Sequence, residues 1–214
     1  MFSASYEEKL REKNQIFLWK PETASLLGES GCIALLGGLR APLAAWLWLK
    51  VEACWEEQGW KQMEPLLELI LQLEPYDIPC YTMAAWELGW NASSAAHDEG
   101  EARFYINAGQ RVLEQGIAKN PESSLLYEYL GVLLRDRLHD HEAAAAAFAK
   151  GANLPGAHSY LRRFVVYELA ASGKHDQEAY EQLQELYEEG HSEWVPALLD
   201  LKEKLENKTQ GWRK

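Results

Sequence analysis

Apolar residues return every three or four positions along most of this chain, the period of an amphipathic helix, and Pro or Gly breaks the pattern at helix-length intervals. After Pro42, the residues Trp48, Val51 and Trp55 share one predicted stripe, which Gly59 ends. A second helix carries Met63, Leu67 and Ile70 up to Glu74-Pro75, with Pro65 near its start, where a missing N–H costs least. Asp77-Ile78-Pro79 then opens a helix with Tyr81, Ala84, Ala85 and Leu88. The polar stretch from Asn91 to Gly100, NASSAAHDEG, reads as an inserted loop. Asp98 and Glu101 have capping-box spacing at the start of the next helix.

Beyond that point the pattern is most regular. Tyr127, Leu130, Gly131 and Leu134 mark one helix, and Ala144, Phe148 and Gly151 mark the next, before Pro155. Val165, Val166 and Leu169 follow, then a turn from Gly173 to Asp176, then Ala179, Leu183 and Leu186 up to Gly190. Ser192 is placed to cap a last helix with Trp194, Leu198, Leu201 and Leu205 on one face, and a frayed tail is expected after Asn207. Alternating Val, Ile and Thr runs are missing while Ala, Leu, Glu and Gln dominate, so an all-α protein is expected.

The helices come in pairs, and 34 residues separate Pro121 from Pro155. This spacing, with a large residue opening the first helix of a pair and Gly at the turn, resembles the tetratricopeptide repeat. The resemblance implies a right-handed α-α superhelix of about four hairpins, roughly 42–75, 76–121, 122–155 and 156–190, followed by a capping helix and tail at 191–214. Residues 1–40 are expected to pack on this solenoid or precede it. A narrower likeness rests on Leu36-Gly37-Gly38-Leu39-Arg40, Ala44-Ala45-Trp46-Leu47-Trp48, Gly116-Ile117, Asn120-Pro121, Leu126-Tyr127 and Leu130-Gly131. These residues resemble a bacterial group of such proteins, often membrane-anchored and of undefined activity. Here Ala45 stands where an acidic residue is common in that group.

Charge and cysteine usage narrow the partners. The formal net charge is −12, a field that repels phosphate backbones, so no nucleic acid is expected and a basic protein segment is favoured. Cys32, Cys54 and Cys80 lie in apolar stretches without a CxxC pair and read as buried thiols. Ser3 to Lys13 is charged, unlike a secretory signal. Cys32 to Leu49 is apolar enough to suggest a membrane span, but Arg40 and Pro42 near its middle favour a turn and a repeat helix. The expected location is cytoplasmic, or membrane-tethered through an anchor preceding this chain.

Repeats of this family imply a peptide groove lined by the first helix of each pair. Counting two before, one after and five after the opening large residues Trp48, Tyr81, Tyr127 and Arg162 selects the groove positions. The principal candidates are Trp46, Leu49, Thr82, Trp86, Glu128, Tyr160, Arg163 and Tyr167. Aromatics and Arg concentrate binding energy because they offer large area with a polar handle, although Trp46 and Trp86 could equally pack under neighbouring segments.

Catalytic signals are weak. His139 and His141 lie beside Asp136 and Asp140, yet two His at i and i+2 share no helical face and the stretch reads as a turn. Cys54, Cys80 and the serines lack a catalytic-triad context, and Gly37-Gly38 is not followed by a phosphate-loop Lys. The chain is thus expected to be a non-catalytic scaffold without cofactor, metal or small-molecule substrate. The alternative is a structural assembly subunit of a bacterial complex, acting by self-association or through residues 91–100.

Overall fold

The computed structural model describes residues 38–189 and 196–212. Most of the 1–40 segment, Cys32, Gly190, Ser192 and Trp194 therefore lie outside the described residues. Among the described residues the protein is all-helical, with no strand. It divides into two compact units, Met1–Cys80 and Tyr81–Lys214.

In the first unit, α1 (Arg40–Glu56) and α2 (Trp60–Leu73) form a hairpin. α1 buries Ala44, Leu47 and Val51, whereas Trp55 remains 51% exposed. The buried stripe thus runs through Ala44, Leu47 and Val51 and shares only Val51 with the predicted one. The left-handed turn residue is Gln58, with φ 56°, and Gly59 instead precedes α2. Arg40 closes the other end of the hairpin. Its guanidinium donates from Nε, at 3.1 Å, and also from Nη2 to the carbonyl of Leu73, supplying a partner at the C-terminus of α2. Cys80 is buried, and that burial, with Asp77 nearby, pushes its thiol up to about 11. Among the described residues no helix is long and apolar enough to cross a membrane.

The second unit is built from helices that pack chiefly on their neighbours in the chain. α3 (Ile78–Trp86) starts at the boundary and runs on as a π-helical turn, Glu87–Ala92. α4 (Glu99–Lys119), α5 (Ser124–Asp136), α6 (His141–Ala152), α7 (Tyr160–Ser172), α8 (Asp176–Glu188) and α9 (Pro196–Trp212) follow. The expected inserted loop is largely absent, since helix continues to Ser94 and only Ala95–Asp98 connects α3 to α4. Ser93 explains the difference: its hydroxyl donates to the carbonyl of Gly89 at 2.6 Å and accepts from Arg137 Nη2 at 2.7 Å. A residue type that favours loops is thus held in a helix by a group 44 positions away.

Sequence-encoded caps fix several boundaries. Asp98 accepts from the Glu101 amide at 2.8 Å, while the Glu101 carboxylate accepts from the amide of His97 at 2.9 Å. Asp140 accepts from Ala143 at 3.0 Å, and Gly173, with φ 68°, ends α7 in the left-handed region. Glycines also permit close helix approach. A Cβ on Gly109 would lie 3.0 Å from the carbonyl of Ala85, and one on Gly131 would lie 2.5 Å from the ring of Phe148. Phe148, Leu161, Val166, Ala179 and Leu183 form the centre of the core shared by α6, α7 and α8, and Leu198 and Leu205 close it from α9. α9 extends past Asn207, where Lys208 pairs with the carboxylate of Asp176 at 3.0 Å.

Candidate functional site

The site is built on α5 and α7 of the second unit. On α7, Tyr160, Arg163 and Tyr167 fall at i, i+3 and i+7, one stripe of the helix, and all three are half-buried. Glu128 reaches this stripe from α5. The Tyr160 hydroxyl donates to Glu128 Oε1 at 2.7 Å, and His158 Nδ1 lies 3.3 Å from Oε2. The His158 ring stacks on Tyr160 with centroids 5.0 Å apart. Behind them Tyr160 meets Phe164, Phe164 meets Phe148, and the Arg135 guanidinium lies over both phenylalanine rings. The tyrosine is therefore anchored from the core side while the polar atoms gather at its tip.

Burial, and then the Glu128 carboxylate that accepts its hydrogen bond, push the Tyr160 hydroxyl up to about 12. Because the folded value lies above the unfolded value near 10, the contribution of this bond to stability is complete below about pH 10 and lost as pH rises toward 12. In a spectrophotometric tyrosine titration, the difference between the native chain and Tyr160→Phe is expected to appear late, after the bulk of tyrosine ionisation. A difference that titrates near pH 10 would break the assignment. Burial also raises the Tyr167 hydroxyl, with the Arg163 charge opposing.

The other predicted groove residues are distributed differently. Trp86 is 46% exposed on α3 and stacks on Trp90 of the π-helical turn, centroids 4.8 Å apart. Thr82, one turn earlier, is buried and offers no surface to a partner. Trp46 and Leu49 are exposed on α1, in the first unit, with Lys50 Nζ over the Trp46 ring. Within the second unit, then, the structure joins Glu128 with Tyr160 and places Arg163 and Tyr167 in line with them. His158, two residues before Tyr160, escaped the sequence reading, which counted offsets only from the large residue opening each helix.

Two further polar features border this region. The buried carboxylate of Glu168 lies 2.6 Å from His141 Nδ1, so the histidine of the predicted turn has a hydrogen-bond partner. A cleft of about 510 Å³ opens beside Tyr167, between α7 and α9. Among the described residues no group of three His, Cys, Asp or Glu side chains is arranged to hold a metal ion. Compared with known protein families, curated proteins and solved structures, the chain matches none.

Proposed function

We propose that this chain is a non-catalytic scaffold of tetratricopeptide type, a right-handed superhelix of helical pairs, and that the α5–α7 face binds an extended peptide or helix of a partner protein. The supporting observation is the row formed by Tyr160, Arg163 and Tyr167 with Glu128 held against its first member. Such a row offers aromatic area and charge on a partly exposed helical face, the chemistry of binding hot spots. The packing of consecutive helices, and the enclosure of α5 and α6 between Pro121 and Pro155, support the repeat architecture. Glu128 and the net charge of −12 favour a partner with a basic segment and disfavour nucleic acid.

A second reading, self-association or docking into a larger assembly, is favoured by exposed Met83 and by Trp86 with its stacked neighbour Trp90. The short Ala95–Asp98 connection gives it less surface than the expected loop.

Affinity capture with the full chain separates these. Tyr167→Ala is expected to weaken partner capture by about tenfold while far-UV circular dichroism stays constant. Trp86→Ala is expected to change the mass measured by light scattering only if the second reading holds. Unaltered capture by Tyr167→Ala would count against the α5–α7 face.

A further inference from the structure

We infer that the cleft between α7 and α9 is a recognition subsite for a bulky apolar side chain flanked by a carboxylate, both carried by the bound protein segment. The inference rests on the peptide-binding reading of the α5–α7 face and adds a chemical requirement to it.

The cleft arises from side-chain size. Ala170 and Ala171 stand three and four residues after Tyr167 on α7, opposite Leu201 and Leu205 of α9. Two alanines opposite two leucines leave about 510 Å³, within the span of about 300–1,000 Å³ typical of ligand pockets. This floor is apolar and suits a large aliphatic or aromatic group.

The rim has the opposite charge to the molecule. Lys204 and Lys208 project from successive turns of α9 at the cleft. Lys208 is paired with Asp176, 3.0 and 3.2 Å from its two oxygens, whereas Lys204 is exposed and has no ion-pair partner among the described residues. Among the residues that line the cleft, two lysines face one carboxylate, an excess of positive charge in a chain of net charge −12. An anionic group is attracted there and a basic one is repelled. The apolar floor in turn excludes a small hydrated anion, which would have to shed water without compensation.

The occupant is a protein segment because the cleft continues the row that begins at Glu128. Tyr160 and Tyr167 are separated by about 10.5 Å along the helix axis, the reach of about three residues of extended chain. A peptide with a basic residue at Glu128 would thus deliver its apolar and acidic pair to the cleft about three residues further on.

Fluorescence anisotropy with the full chain at low salt tests this. The probes are a labelled short peptide holding a lysine and, about three residues later, a Leu-Glu pair, and the same peptide with Leu-Lys in that place. The Leu-Glu probe is expected to bind about fivefold more tightly. Lys204→Glu should abolish or reverse the preference, Lys204→Arg should keep it, and Ala171→Trp, which fills the cleft, should erase it, all with unchanged circular dichroism. Equal binding of both probes, or a preference indifferent to Lys204→Glu, overturns the cleft assignment but leaves the peptide face standing. Failure of both probes to bind overturns both. Oleate bound in a Lys204-dependent way, with the Leu-Glu probe ignored, assigns the cleft to a lipid and also overturns the inference.

Discussion

Gly131→Ala is expected to destabilise the chain by about 1–2 kcal/mol, although alanine is the better helix former by about 1 kcal/mol. The reason is distance. A Cβ at position 131 would sit 2.5 to 2.8 Å from three carbons of the Phe148 ring, closer than real Cβ atoms come. Phe148 cannot yield easily, because it is fully buried, packs edge-on against Phe164 at 5.2 Å and lies beneath the Arg135 guanidinium. The overpacking cost of about 1–3 kcal/mol therefore exceeds the propensity gain. Urea denaturation followed by circular dichroism measures the difference, and a stabilised variant would show that α5 and α6 can separate freely.

The largest single effect is expected at the ring itself. Phe148→Ala should cost about 3–5 kcal/mol, since it removes a fully buried aromatic from the core shared by α6, α7 and α8. Loss of this ring also removes support from Phe164 and hence from Tyr160, so the Glu128 pairing should loosen with it. The two substitutions should not add. With the ring gone, the methyl of Gly131→Ala has space and fills part of the cavity, so the double variant is expected to be more stable than the sum of the singles predicts. Simple additivity in this cycle would mean that residues 131 and 148 do not meet.

Much of the helical layout was legible in the sequence because it depends on neighbours in the chain. Asp98 with Glu101 and Gly173 after α7 act within four residues of themselves, and each sits at the boundary expected of it; Asp140, read only as part of a polar turn, caps α6 in the same local way. The regular unit between Pro121 and Pro155 forms the two helices its pattern predicts for the same reason. Along α7, helical periodicity places Tyr160, Arg163 and Tyr167 on one stripe.

In the stretch expected to be an inserted loop, a distant partner intervenes. Asn91 to Ser94 looked like loop because Asn and Ser compete with helix backbone bonds, and Arg137 reverses that preference through Ser93. Thr82 had the right offset for a groove residue but is buried, because offset specifies a direction around the helix axis and not what covers it. His158 and Lys204 belong to no repeat position, and only the approach of α5 and α9 to α7 gives them neighbours.

The sequence by itself determined that this chain is helical, where most of its helices start and stop, and that its net charge is strongly negative. Propensity, capping and formal charge are local quantities, summed residue by residue. Tertiary structure alone decided that Glu128 meets Tyr160, that Trp86 stacks on Trp90 across a π-helical turn, and that a cleft lined by Lys204 and Lys208 opens beside Tyr167 in an acidic protein. Those features depend on how far apart helices stand and how they are rotated. Spacing and rotation are set by side-chain volumes on both sides of an interface, by Gly131 against Phe148 and by two alanines opposite two leucines.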